Sequence, residues 1–488
     1  MEYPRADWVR TITATLDISG APTIVVGPDD AVFFAAAASG VVSSGATSLP
    51  DVATLGVYVG AMDKSGNLQW LIRDPRLFTG TNDTAPSIAL GASGELYLAF
   101  VTPGAVTSRS NGADVPSLCG SCGTTAGRDD IVLARINGAV SGTPNIAWIV
   151  QDAYLNSCSN ENHVRLHYDA AGDRLFIAYQ TTGATLCNVR IGTPNIVLVC
   201  FNTAGYLTWS YQAELLNGAG ANEAPCVATD QDGGVYIAYT ITSPVAGGSP
   251  AGLTGTKDVE VVKLHIEGEL VRVVRDWILS ATVPINSTGT NTDPYIVCDT
   301  ARNKLYLTFT ATEAVPGGTK TATGSDIVFV ALNTDGNLSW ILQGPEWNEI
   351  SYRYQSVSAP SLCLDQYGAL FAVAQGTDTS GRAMILAWSI NPGSQTSEWY
   401  FRTDIASVYR TYIPAAAFTT PFIVVEATAP FTAPSVAVFS GHVYISFSRT
   451  DTATQYILAM NQVINYLEYN AQQYIRNVTS ICSSVRQM

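Results

Sequence analysis

The cysteines hold the densest candidate chemistry in the chain. Cys119-Gly-Ser-Cys122 has the spacing of half a zinc site, and Cys158 and Cys187 would complete a set of four thiolates. The spacing beyond the first pair matches no standard finger, so zinc, disulfides and free thiols all stand open, to be decided by compartment. Cys200, Cys226, Cys298 and Cys363 fall instead inside apolar runs, where a thiol behaves as a small core side chain. A second candidate set is acidic. Asp130, Asp258 and Asp326, with Asn195 at the matching place, each open an apolar run and would offer calcium a ring of oxygens. The competing reading is that each accepts hydrogen bonds from the amides of its own loop. A third set is aromatic: Tyr409, Tyr412, Phe418 and Phe422, in a stretch rich in Ala and Thr, expected either to pack over a sheet edge or to dock a partner.

Catalytic motifs are sparse. The four histidines are His163, His167, His265 and His442, and only the first two are near each other, on one predicted strand and on one face of it. There is no H-E-x-x-H, no G-x-S-x-G and no phosphate loop. No cofactor is expected.

The elements that must position these residues repeat with a period of roughly 69 residues, seven times. An Ala-Pro or Asp-Pro pair opens each unit: Ala21-Pro22, Ala85-Pro86, Ala224-Pro225, Asp293-Pro294, Ala359-Pro360 and Ala433-Pro434, with Asn162-His163 standing in for it in the third. Within a unit, four short runs rich in Val, Ile, Tyr, Phe and Trp are separated by Asn, Asp and Gly, the pattern of four antiparallel strands, here A to D. One such sheet has two apolar faces, which seven sheets around an axis bury together.

The expected fold is therefore all-β, a seven-bladed β-propeller of four-stranded antiparallel blades. The blades fall at 21–78, 79–155, 156–216, 217–283, 284–345, 346–402 and 433–469, with an insertion at 403–432 and a tail at 470–488. Asp7 to Ile12 looks like a stray strand D, so 1–20 is expected to complete the last blade, whose own D run is poor. A Trp recurs in strand D at positions 70, 148, 209, 340 and 399, with Trp277 displaced, and is expected to plug neighbouring sheets. The A-to-B and C-to-D turns are short, whereas the B-to-C and D-to-A connections are long, so one face is plain and the other elaborated.

The unit resembles the SBBP-type β-propeller repeat, most clearly in D-I-V-F-V-A-L-N-T-D-G-N-L-S-W (Asp326 to Trp340) and L-C-L-D-Q-Y-G-A-L-F (Leu362 to Phe371). That resemblance implies a propeller of the kind found in surface, secreted or particle-associated proteins with no assigned catalysis.

Charged residues are only 13% of the chain, and the formal net charge of −15 with no basic cluster argues against nucleic acid as a partner. The N-terminus has neither a basic region nor an apolar core of the secretory kind, and no apolar run approaches the roughly 20 residues that span a bilayer. Export would then follow another route or occur within a particle. The expectation is a non-enzymatic scaffold that binds protein partners through its long-loop face in a virus particle or cell-surface assembly. The alternatives are a carbohydrate-active hydrolase with carboxylates in the propeller funnel, or a glycan-binding module.

Overall fold

The computed structural model describes residues 5–106, 128–152, 154–185, 188, 190–246, 253–267, 272–279, 284–320, 322–343, 354–378, 381, 383–393, 395–402, 434–439, 442–449 and 453–461. It is a seven-bladed β-propeller of four-stranded antiparallel sheets. Strands A are Ile18–Val26, Thr84–Leu90, Glu161–Asp169, Asn222–Thr229, Asn291–Asp299, Tyr354–Leu364 and Ser435–Phe439. Strands B are Val32–Ala38, Leu96–Thr102, Arg174–Thr181, Val235–Ile241, Lys304–Ala311, Leu370–Asp378 and His442–Arg449. Strands C are Gly56–Met62, Asp130–Asn137, Asn195–Asn202, Asp258–Glu267, Asp326–Asn333, Ala383–Asn391 and Thr454–Asn461. Strands D of blades 1 to 6 are Leu68–Ile72, Asn145–Val150, Leu207–Tyr211, Arg272–Ile278, Leu338–Leu342 and Thr396–Arg402.

The ring closes as the termini predict. Arg5–Ala14 pairs antiparallel with Thr454–Asn461, Val9 opposite Leu458, and so supplies strand D of blade 7. Its far end also pairs with Val42–Ser44 from the B-to-C connection of blade 1. Each strand A touches strand A of the next blade, and the seventh touches the first, so the A strands form a closed inner ring. Strand B, sandwiched inside this arrangement, is buried on both faces. This is why Val32–Ala38, Leu96–Thr102 and Val235–Ile241 are buried at every residue and read as continuous apolar runs.

Seven apolar clusters fill the spaces between blades, one per junction among the described residues. The strand-D tryptophans close them from outside, and each reaches the following blade. Nε1 of Trp8, Trp70, Trp148 and Trp277 donates to the carbonyls of Lys64, Ala139, Thr203 and Thr334, at 2.7, 3.0, 3.3 and 3.1 Å. Trp277, displaced in sequence, takes the same place: it lies opposite Lys263 beside the register shift, as Trp148 lies opposite Arg135. The indole of Trp148 lies on Gly205, whose φ is +88° and where a Cβ would come within 2.9 Å of the ring. Gly is required there twice over, for conformation and for space.

The long-loop face is built by a second repeated device. A residue at or near the start of the next blade's strand A donates its N–H to the carbonyl preceding strand C: Asp83 to Leu55, Glu161 to Asp129, Asn222 to Pro194, Asn291 to Lys257 and Val357 to Ser325. Five residues earlier, Asn156, Asn217 and Asn286 bond both main-chain groups of Ile131, Ile196 and Val259. Gln151, Gln212 and Gln343, three residues after the strand-D Trp, pin the base of each B-to-C loop. Loops of different length thus leave from a common rim held by the same main-chain hydrogen bonds.

Candidate active site at the mouth of the axial channel

The proline pairs do not open the strands. In blades 2, 4, 5 and 6 they lie inside strand A, at a bulge where the register with strand B shifts. The residue before each proline has positive φ: Ala85 +48°, Ala224 +51°, Asp293 +56° and Ala359 +48°. In blade 3 the equivalent residue is His163 at +52°, so the pair there is His163-Val164, one residue later than Asn162-His163. Proline suits the next position because the bulge needs no ladder N–H from it. A non-glycine residue held at positive φ costs on the order of 1–2 kcal/mol, so the ring of A strands carries repeated backbone strain at its long-loop end.

Three adjacent bulges bring chemistry together. His163 of blade 3 lies within electrostatic reach of Arg165 of its own strand, Glu223 of blade 4 and Asp293 of blade 5. Lys257, just before strand C of blade 4, is 2.5 Å from Glu223. Strand B of blade 3 supports the group, since Gln180 Oε1 accepts from the N–H of Ala224 at 3.1 Å. Elsewhere in the ring the bulge residue is Ala85 or Ala359, so blades 3 to 5 alone combine an imidazole and carboxylates there among the described bulges.

His163 and Arg165 are exposed on the innermost strand, while the alternating Val164 and Leu166 are buried between blades. The exposed side therefore faces the axis. One step further in, Arg165 is close to Cys226 and Tyr295, and Tyr295 is hydrogen-bonded to Ser361, which puts strands A of blades 3 to 6 around one space. No described residue hydrogen-bonds the Arg165 guanidinium or pairs with it. Deeper still, His167 Nε2 is 2.9 Å from Thr229 Oγ1.

The protein walls set the charge states. Burial, then Arg165, pulls His163 below the usual imidazole range against the opposing pull of Asp293 and Glu223, so it is neutral near pH 7. Burial takes His167 down to about 4. The mouth thus offers a neutral imidazole, two carboxylates and a guanidinium, the components of general acid and base catalysis with charge stabilisation.

The other sequence candidates are placed differently. Asp130, Asp258 and Asp326 head strands C, outside the inner ring, each at its own blade junction. Among the described residues no group of three or more His, Cys, Asp or Glu gathers. Asp258 accepts from the amides of Thr254 and Gly255, and Asn195 from that of Gly192, as the loop-bonding reading expects. Asp130 accepts from Gln151 and Asp326 from its neighbour Ile327. Cys158 is disulfide-bonded. Cys119, Cys122 and Cys187 lie outside the described residues, as do Tyr409, Tyr412, Phe418 and Phe422. Cys200, Cys226, Cys298 and Cys363 are free, and burial pushes their thiols up. Glu223 and Arg165 were not singled out from sequence. The available signal was the residue on either side of the bulge pair, acidic or basic in blades 3 and 4 and small or hydroxylic in most others.

No family model matches the chain, and no curated protein matches it. Solved structures share its fold. A polysaccharide lyase of family PL25, an ulvan lyase bound to -[GlcA(1-4)Rha3S]-, is 10% identical with a TM-score of 0.48, over 90% of this chain and 93% of the lyase. An α-L-arabinanase of Penicillium chrysogenum is 11% identical with a TM-score of 0.39, over 77% of this chain and 93% of the arabinanase. A Trypanosoma rangeli sialidase is 11% identical with a TM-score of 0.42, over 76% of this chain and 54% of the sialidase. The likeness is one of fold. It nevertheless corrects the expectation that the chain is not an enzyme, because that expectation took the absence of a local motif as absence of catalysis. The physical reason is that the polar groups at the mouth come from three blades, with Glu223 and Asp293 far from His163 and Arg165 in sequence, so no local motif marks them. Among the described residues no helix is long and apolar enough to cross a membrane.

Proposed function

We propose that this chain is a carbohydrate-active enzyme whose site is the long-loop mouth of the axial channel. The observation that carries the reading is the convergence of His163, Arg165, Glu223 and Asp293 from three consecutive strands A. Glu223 and Asp293 are the carboxylates that would flank a glycosidic bond and exchange its protons. His163, neutral and reachable by solvent, is a further proton acceptor. Arg165, without an acceptor among the described residues, would bind a substrate oxygen or balance charge that develops during the reaction.

Purified protein incubated with a panel of neutral and acidic polysaccharides tests this. Reducing-end release reports hydrolysis, and ultraviolet absorbance of an unsaturated product reports elimination. Turnover of at least one polymer is expected, with loss of about 100-fold or more in Glu223→Gln and Asp293→Asn at unchanged thermal stability. Turnover that survives both substitutions would place the chemistry elsewhere.

A further inference from the structure

Blades 2 and 3 meet at a version of the rim that the next two junctions do not share, and that differs from the blade 1–2 junction in having an aspartate, Asp130, where Gly56 heads strand C there. In the blade 4–5 junction, Asn291 Oδ1 accepts from the amide and hydroxyl of Ser287 at 3.0 and 2.8 Å. Its Nδ2 donates into a cage of oxygens: the carbonyls of Lys257 and Ser287 at 3.0 and 3.2 Å, and Asp258 Oδ1 at 3.3 Å. In the blade 3–4 junction, Asn222 does the same, Nδ2 donating to the carbonyls of Pro194, Gly218 and Gly220 at 3.2, 3.2 and 3.1 Å. In both of these junctions an amide nitrogen is surrounded by acceptors.

At the blade 2–3 junction the residue in this position is Glu161. Its main chain is placed alike, the N–H donating to Asp129 at 2.8 Å where Asn291 donates to Lys257 at 2.9 Å. Its Oε1 takes the part of Oδ1, accepting from the amide of Ser157 at 3.2 Å, from the Ser157 hydroxyl and from Thr181 Oγ1 at 2.7 Å. Oε2 is then left where the sister residues carry the donating nitrogen. It is buried and has no hydrogen-bond partner among the described residues, in a residue with 0% exposure. The neighbours that correspond to the cage of Asn291 are Asp130 and the carbonyls of Asp129 and Ser157, which are all oxygens. Gln151 Nε2 donates to Asp130 Oδ2 at 3.1 Å, but none of the described residues donates to Glu161 Oε2.

We propose that the blade 2–3 junction is a binding site for a hard divalent cation of the calcium type, held by the carboxylates of Glu161 and Asp130 and by the main-chain carbonyls of Asp129 and Ser157, with water completing the shell. All-oxygen ligation with two carboxylates is the chemistry that calcium selects, and soft metals would find no sulfur or imidazole there. The bound ion replaces, by charge, the N–H bonds that hold the sister junctions.

The test compares the full-length protein with Glu161→Gln, which restores the amide of the sister junctions. After exhaustive chelation, each is melted with increasing calcium chloride, magnesium chloride or sodium chloride at constant ionic strength. Calcium is expected to raise the melting temperature of the wild type by about 3 °C or more at saturation. Glu161→Gln should melt high without calcium and not respond to it. A wild type indifferent to millimolar calcium, or a Glu161→Gln response equal to that of the wild type, overturns the proposal. A wild type that responds only to pH would show that a shared proton occupies the gap and would overturn it as well. Should Glu161→Gln not fold, calorimetric calcium titration of the wild type and of Asp130→Asn decides. Binding lost in Asp130→Asn supports the site, and no binding by the wild type or equal binding by both refutes it.

Discussion

The outer half of each blade and its innermost strand obey the same repeat, yet they diverge in opposite ways. Outside, the strand-D Trp, the glycine turn it covers and the Gln three residues later recur with one geometry, and their polar groups are spent on neighbouring main chain. Inside, the backbone kink recurs but the side chains on it do not: Ala85, His163, Ala224, Asp293 and Ala359 stand at one position in five blades. Regular side chains on a regular backbone make a scaffold. Varied polar side chains on a regular, strained backbone make a site, because the repeat fixes where each group points and leaves its identity free.

That contrast can be broken most strongly at the mouth. Glu223→Gln and His163→Ala are expected to lower turnover by about 10²–10⁴-fold while leaving the melting temperature in place, measured by steady-state kinetics beside calorimetry. Trp148→Ala should do the reverse, costing about 3–5 kcal/mol in denaturant unfolding through the cavity it leaves, with kcat of the folded fraction preserved.

Asp83 gives an intermediate effect with a defined pH dependence. It occupies the rim position of Asn291, but Gly56 heads the facing strand C. Burial raises it to about 6 against the hydrogen bonds of Thr102 and Thr79. Between the ordinary carboxyl value near 3.8 and about 6 the folded protein holds a proton that the unfolded chain has released. Its contribution is therefore present below that window, falls as pH rises through it and stays lost above. Asp83→Asn should raise stability at pH 7 by about 2 kcal/mol and flatten the slope between those pH values in urea titrations. An unchanged slope would mean that other groups set it.

The smallest effect is expected at Ala85. Ala85→Gly relieves backbone strain at φ +48° but frees the unfolded chain. The two oppose, so stability should move by less than about 1 kcal/mol and turnover not at all. A large loss of turnover would extend the site to blade 2.

The fold was legible because its signals are local: turn residues, apolar runs, one Trp per unit and a stray N-terminal strand that needed a partner. The proline pairs were legible as landmarks but not as bulges, since a register shift depends on the facing strand. Glu223 and Arg165 gave only a weak signal, a charged residue beside the bulge pair, because the groups they meet across the ring lie in other blades, some 60 residues away in sequence. Glu161 was hidden for a related reason. Its oddity appears only when Asn222 and Asn291 are set beside it, and loops of unequal length obscure that correspondence.

The most direct measurement is the crystal structure of Glu223→Gln with an oligosaccharide derived from a polymer that the wild type turns over. The sugar should lie at the long-loop mouth, between strands A of blades 3, 4 and 5, within hydrogen-bond reach of Arg165 and His163. A sugar bound on the short-turn face, or on the outer strands, would contradict the assignment of the channel mouth as the site.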